Sequence, residues 1–147
     1  MELGATLPDF TLNDQNGQSF SISKVKAKKP VVVYFYPKNF TPGCIKEACA
    51  FRDAYEDFLT EGAEVIGISN DSDASHQKFA KKYQLPFVLL ADTANNVRKK
   101  FGVRKRMVGL LPGRETFVFD ENGILVFKFE SMGATQHIKK SLEYLRK

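Results

Sequence analysis

The strongest constraint on the fold is a continuous β-branched and aromatic run from Pro30 to Tyr36 (PVVVYFY). Such a run is typical of a central strand buried on both faces, and strands of this kind occur in α/β proteins. Apolar residues at spacings of three and four predict one long helix from Pro42 to about Glu61, ending before Gly62. A second strand over Glu64–Ser69 then completes a parallel β-α-β unit.

The rest of the chain extends this pattern. An Asn16-Gly17 turn between Asp9–Asn13 and Gln18–Ile22 predicts an N-terminal β-hairpin. The later segments alternate between helices and strands: helix Ala74–Tyr83, strand Phe87–Leu90, helix Asn95–Phe101, strands Glu115–Phe119 and Ile124–Glu130, and helix Thr135–Arg146. We therefore expect a mixed central sheet flanked by helices, in an order that resembles the thioredoxin fold. With 147 residues and no repeat or linker, we expect a single domain over residues 1–147.

Charge and hydropathy bear on partners and location. The net charge of +5 raises the alternative of a non-enzymatic basic module that binds nucleic acid, but no nucleic-acid motif accompanies the basic clusters. We expect those clusters to be solvated surface: Lys24, Lys26, Lys28, Lys29, Arg98-Lys99-Lys100 and Arg104-Lys105-Arg106. No apolar run is long enough to span a membrane, and no export leader precedes the patterned sequence. We expect a cytoplasmic protein, or an organellar one, as in a chloroplast, if a transit peptide has been removed.

The loop between the first predicted strand and the first predicted helix contains a cysteine. Thr41 is a favoured N-cap residue and Pro42 suits the first helical position, so Cys44 occupies the third. Free backbone N–H groups and the helix dipole stabilise an anion at this position, which favours a nucleophilic thiolate. The alternative is an inert, buried, small apolar cysteine.

The second cysteine, Cys49, follows five residues later in the same predicted helix. In an ideal helix the two Cα atoms lie about 8.7 Å apart and about 140° around the axis. This exceeds the limit of about 7 Å for a disulfide, so a bond between Cys44 and Cys49 requires local unfolding. A thioredoxin-like disulfide reductase remains an alternative, although such enzymes use the shorter C-x-x-C spacing. A metal site could add only His76 and His137, which we expect to be solvated surface residues.

Pro37-x3-Thr41-x2-Cys44, in the context YFYPKNFTPGCIKEACAFRD, resembles the active-site signature of the peroxiredoxins. The segments AEVIGISNDS and PGRETFVFD and the spacing of Cys44 and Cys49 extend the resemblance over nearly the whole chain. They resemble the bacterioferritin-comigratory-protein or peroxiredoxin Q subfamily. This resemblance implies a thiol-dependent peroxidase with a thioredoxin-like fold.

The resemblance also implies a role for each site residue. Cys44 would be the peroxidatic cysteine and Cys49 the resolving cysteine. Thr41 and Arg114 would hold the peroxide, which suits a reaction that develops charge on oxygen. In addition, Pro37 would shield the site, and the backbone N–H groups of Gly43 and Cys44 could bind a peroxide oxygen. Without the PGRETFVFD match, Arg114 would be interpreted as a solvated charge.

The implied reaction starts with attack of the Cys44 thiolate on a hydroperoxide to give a sulfenic acid, which condenses with Cys49. Thioredoxin or a similar dithiol would reduce the disulfide, and the protein would be a monomer without metal, haem or flavin. Asn39-Phe40 and Ile45 depart from the usual pattern and could favour bulky hydroperoxides. We do not assign Glu47 and Arg52 to the expected site. Both are charged residues of the predicted helix, and the sequence is equally consistent with their being exposed to solvent.

Overall fold

The computed structural model describes residues 1–25, 29–103, 105–106, 111–112, 114–130 and 135–146. The strands, numbered in chain order, are β1 Thr11–Asp14, β2 Ser19–Ser21, β3 Val31–Phe35, β4 Glu64–Ser69, β5 Val88–Ala91, β6 Lys105–Arg106, β7 Leu111–Pro112, β8 Glu115–Phe119 and β9 Leu125–Glu130. The helices are α1 Pro42–Asp53, α2 Tyr55–Thr60, α3 Asp73–Tyr83, α4 Asn96–Phe101 and α5 Gln136–Leu145.

One mixed sheet of seven strands organises the described residues, in the order β2-β1-β5-β4-β3-β8-β9. Strands β3, β4 and β5 are parallel, whereas β8 and β9 and the N-terminal hairpin add antiparallel pairs. This confirms the predicted α/β architecture with a mixed central sheet and an N-terminal hairpin, which is a thioredoxin-like fold. A short hairpin of β6 and β7 lies outside this sheet and was not predicted.

Strand β3 lies at the centre of the core because its side chains are buried on both faces. Val32 and Tyr34 pack on one face with the apolar side chains of α1, α3 and α5. Val33 and Phe35 pack on the other face with Phe101 of α4. The apolar run of β3 is uninterrupted because a hydrophobic core packs on each face of this strand.

The predicted helix over Pro42–Glu61 is divided in the structure. Helix α1 ends at Asp53, Ala54 adopts φ −96° and ψ 2°, and α2 starts at Tyr55. The interruption is confined to Ala54, because its ψ of 2° departs from the helical value while its N–H still donates to Ala50 and its carbonyl oxygen still accepts from Phe58. All other predicted helices and strands agree with the structure to within two residues at each end.

The basic clusters were predicted to be solvated, and this is wrong for Arg98. Arg98 is only 5% exposed, and its Nη2 donates to the carbonyl oxygen of Tyr36. Its neighbours Lys99 and Lys100 are exposed, as expected. Lys26, Lys28 and Arg104 lie outside the described residues. Within the described part of the chain, no helix is long and apolar enough to cross a membrane.

Candidate active site

Helix α1 places Cys44 at its amino end, as the sequence predicts. Thr41 is the N-cap residue in an extended conformation, and Pro42 opens the helix. The Thr41 hydroxyl donates to the carbonyl oxygen of Lys38 at 2.8 Å and does not cap the helix. The first-turn N–H groups of Gly43 and Cys44 therefore lack an intrahelical acceptor. Cys44 itself is 2% exposed.

Arg114 reaches the sulfur of Cys44 from the neighbouring strand. Phe35, at the end of β3, pairs with Glu115, at the start of β8. The residue before β8 therefore lies beside the point where the chain leaves β3 for α1. The Nη2 atom of Arg114 donates to Cys44 Sγ at 3.6 Å, and Arg114 is 3% exposed. The structure thus places Arg114 beside Cys44.

Glu47 fixes the other side of the Arg114 guanidinium. Nη1 of Arg114 donates to Oε1 of Glu47, and the Glu47 side chain is fully buried. Burial raises the pKa of Glu47 to about 8, although Arg114 favours the carboxylate. Burial lowers the pKa of Arg114, but the nearby Glu47 and Cys44 more than offset this and leave it raised. Sequence analysis left Glu47 out of the site. The feature that could have identified it is its position three residues after Cys44, which puts both side chains on the same helix face.

His137 lies behind Glu47 and is fully buried, so the prediction of a solvated histidine is wrong. Its Nδ1 lies 2.7 Å from Thr116 Oγ1 and 3.9 Å from Glu47 Oε2. The Phe129 ring packs edge-on against the imidazole at 4.9 Å between centroids. His137 is buried because α5 packs against β8 and β9. Its polar neighbours in sequence are exposed: Gln136, Lys139 and Lys140.

A second buried network holds the loop between β3 and α1. The Tyr36 hydroxyl donates to Asn39 Oδ1 at 2.7 Å. The Asn39 amide lies 2.9 Å from His76 Nδ1, and His76 Nε2 lies 2.9 Å from the carbonyl oxygen of Leu90. Because that carbonyl can only accept, Nε2 carries the proton and Nδ1 accepts from Asn39. His76 is therefore buried and bonded, and its prediction as a surface residue is also wrong.

The same loop contains the two other residues that the sequence singled out. Pro37 is buried directly after β3. Phe40 has φ 64°, a left-handed conformation that is uncommon for an aromatic residue. Its side chain is 42% exposed and packs edge-on against the Phe79 ring at 5.1 Å. The loop therefore presents an aromatic surface immediately before Thr41.

Cys49 lies in α1 with Cys44, which confirms that one continuous helix carries both cysteines. Both are free thiols, and Cys49 is partly exposed. Arg52 does not contact the site, since its Nη1 donates to the carbonyl oxygen of Tyr83 at 2.8 Å. Among the described side chains, no group of three or more His, Cys, Asp or Glu is placed to hold a metal ion.

Comparisons with known proteins agree with this geometry. Residues 3–128 match the AhpC/TSA family. The chloroplastic peroxiredoxin Q of Sedum lineare is 55% identical over 144 residues, which are 97% of this chain and 77% of that protein. The chloroplastic peroxiredoxin Q of Oryza sativa subsp. japonica is 53% identical over 144 residues, 97% of this chain, and the chain spans 66% of its length.

A solved structure extends the likeness to three dimensions. The crystal structure of peroxidoxin BcpB from Mycobacterium tuberculosis has a TM-score of 0.91 and 38% identity, over 99% of this chain and 97% of that chain. The resemblance drawn from the active-site motif is thereby confirmed. The chain belongs to the AhpC/TSA family and, within it, to the peroxiredoxin Q and bacterioferritin-comigratory-protein group of thiol-dependent peroxidases.

Proposed function

We propose that the protein reduces hydroperoxides with the thiolate of Cys44, is resolved by Cys49 and is recycled by thioredoxin or a similar dithiol. The observation that carries the proposal is the contact of 3.6 Å between Arg114 Nη2 and Cys44 Sγ at a buried helix amino end. A permanent cation and the free N–H groups of the first turn both stabilise a thiolate there. The thiolate is the form of cysteine that attacks an oxygen of a peroxide.

In the peroxide step, the sulfur forms an S–O bond while the O–O bond breaks. Cys44 becomes a sulfenic acid, and the departing oxygen takes a proton and leaves as water or an alcohol. Arg114 and the N–H groups of Gly43 and Cys44 stabilise the negative charge that develops on the departing oxygen. Thr41 Oγ1 accepts a hydrogen bond from the peroxide, because its own proton is donated to Lys38.

Pro37 contributes by position and not by chemistry. It is buried between the end of β3 and the loop that carries Thr41. Its ring fixes the backbone there and shields the sulfur from water. A shielded site strengthens the interaction of Arg114 with the reacting atoms, because the local dielectric constant is low.

In the resolving step, the Cys49 sulfur attacks the sulfenic acid of Cys44, a disulfide forms and water leaves. The two cysteines share α1, so the helix must open before the sulfur atoms can meet. An external dithiol then reduces the disulfide by thiol exchange and restores both thiols. The net charge of +5 favours a reductant with an acidic docking surface.

The assembly and location follow from the same proposal. All the residues that we assign to the reaction come from one chain, which is consistent with a functional monomer. The relatives from Sedum lineare and Oryza sativa are chloroplastic, and this favours an organellar location over a cytoplasmic one.

A coupled assay tests the proposal. NADPH oxidation is followed with thioredoxin and its reductase, with hydrogen peroxide or a bulky organic hydroperoxide as substrate. We expect Cys44→Ser to abolish turnover, whereas Cys49→Ser keeps one stoichiometric reaction and loses thioredoxin-dependent recycling. Substantial peroxidase activity in Cys44→Ser would show that the nucleophile is assigned wrongly. Disulfide reduction without any peroxide turnover would favour the thioredoxin-like reductase instead.

A further inference from the structure

The buried cluster around Cys44 contains one cation and two potential anions. Arg114 donates to both Cys44 Sγ and Glu47 Oε1, and all three residues are at most 3% exposed. In the thiolate form that the proposed function requires, a charged Glu47 would leave one negative charge without compensation. An uncompensated charge in a buried site is costly, so a proton must be held within the cluster.

Only one of the two oxygens of Glu47 is used by Arg114. Oε2 is buried and has no hydrogen-bond partner among the described residues. The closest ionisable group on that side is His137, whose Nδ1 lies 3.9 Å away. Thr116 Oγ1 lies 2.7 Å from the same Nδ1 and can either donate to it or accept from it. The hydroxyl therefore tolerates both protonation states of the imidazole.

Other ionisable groups near the cluster do not supply the missing charge. Burial raises the pKa of Tyr34 and of Tyr36, both from the side of β3, well above 10, so both hydroxyls stay neutral. The β9 residue that packs on His137 is the uncharged Phe129. The charged residues of β9 and the lysines of α5 are exposed: Lys128, Glu130, Lys139 and Lys140.

We infer that Glu47 and His137 form a proton-binding pair that retains one proton while Cys44 is a thiolate. The proton resides either on the carboxyl group, with a neutral imidazole, or on the imidazole, with a carboxylate. In both cases the cluster of Cys44, Arg114, Glu47 and His137 has no net charge. When the pair loses its proton, the carboxylate competes with the sulfur for Arg114. His137 is thus a positioning residue that acts on the reaction through Glu47.

The test uses Cys49→Ser protein, which reacts once with peroxide. The rate constant with hydrogen peroxide and the ultraviolet absorbance of the thiolate are measured against pH. We expect the rate to fall above about pH 8, where Glu47 ionises. Glu47→Gln should remove this fall, because the amide cannot ionise. His137→Asn should move the fall to lower pH, because the proton then has one binding site in place of two and is lost more easily.

The double variant separates the inference from a purely structural role of His137. If His137 acts through Glu47, His137→Asn changes the pH profile only when Glu47 is present, and has no further effect in the Glu47→Gln protein. The inference would be overturned if His137→Asn shifted the pH profile equally in the Glu47 and the Glu47→Gln proteins, or shifted it in neither. Lys140→Gln, an exposed change in the same helix, is the control and should leave the profile unchanged.

A measurement on the unaltered histidines covers the case in which His137→Asn does not fold. The chain has two histidines, so nitrogen NMR can follow the ring of His137 in the Cys49→Ser protein. Alkylation of Cys44 removes the negative charge of the sulfur. We expect the pH at which the His137 ring signal changes to shift on alkylation, and an unchanged titration would overturn the pair. Neither the pH dependence of the single reaction nor the NMR titration depends on recycling by a dithiol. Failure of the Glu47–His137 pair can therefore be distinguished from failure of the proposed peroxidase cycle.

Discussion

The guanidinium of Arg114 occupies the space that a side chain at Gly43 would need. A Cβ added at residue 43 would lie 2.9 Å from Nη2, the same nitrogen that donates to Cys44 Sγ. Because Glu47 accepts from Nη1 and Cys44 from Nη2, a shift of the guanidinium would weaken its contact with the carboxylate or with the sulfur. The absence of a side chain at Gly43 is therefore part of what positions Arg114.

Gly43→Ala should slow peroxide reduction by about tenfold or more without lowering stability. The methyl group displaces Arg114 from Cys44, and loss of one transition-state donor commonly costs a factor of this order or larger. Arg114 can keep its ion pair with Glu47, and alanine fits a helix at least as well as glycine does, so α1 should not weaken. Stopped-flow rates and thermal unfolding measure the two effects. Lys46→Ala, exposed in the same helix, should change neither, and an unchanged rate in Gly43→Ala would contradict the argument.

Arg114→Lys should preserve folding and slow peroxide reduction. Lysine keeps the charge but loses the planar fork that holds Glu47 with one nitrogen and Cys44 with another. We expect a decrease in the second-order rate constant of about tenfold or more, the order that loss of an electrostatic donor produces. Arg146→Lys, at the exposed end of the chain, is the matched control. Equal rates in the two variants would remove Arg114 from the site.

Local pattern was enough to predict the elements that carry Cys44. The apolar run of β3 and the Thr41-Pro42 helix start are properties of consecutive residues, and the structure has both. The break at Ala54 was not predictable in this way. Apolar residues continue at helical spacing across Ala54, so no feature of the local pattern signals the break.

The buried polar residues were missed for a different reason. Glu47 is paired with a residue 67 positions away, and His137 contacts Thr116, 21 positions away. No local pattern distinguishes these side chains from exposed helical charges. His76 likewise lies among polar residues in sequence, and only the loop that contains Asn39 explains its burial. Long-range pairing of strands and helices determined these positions.

Gly67→Ala should destabilise the protein, in contrast to Gly43→Ala. A Cβ at Gly67 would lie 2.8 Å from Tyr34 Cζ and 2.9 Å from Leu89 Cδ2, and both of those side chains are held in the core. Overpacking of this kind costs about 1–3 kcal/mol. Denaturant unfolding should show the loss, with Gly43→Ala as the matched glycine substitution. Equal stability in the two variants would show that Tyr34 can move.

Glu47 should make the stability of the protein depend on pH. Its pKa is raised by burial from 4.5 in the unfolded chain to about 8 in the folded protein. Between these values the native state binds more protons than the unfolded state, so the free energy of unfolding decreases as pH rises. Glu47→Gln should therefore gain stability relative to the parent protein as pH increases through this window. Urea unfolding measures the difference, and Glu143→Gln, which is exposed, should show none.

Oxidation should unwind the start of α1. In the reduced protein Cys44 and Cys49 share this helix, where an ideal geometry separates their Cα atoms by about 8.7 Å. A disulfide requires about 4.4–6.8 Å, so at least one cysteine must leave the helix. Unwinding also removes Cys44 from the helix dipole and from Arg114, which makes the oxidised protein inactive until it is reduced. Hydrogen exchange should therefore accelerate on oxidation over residues 44–51 and stay slow in β3. If the disulfide forms and residues 44–51 keep their protection, the resolving step does not proceed through opening of α1.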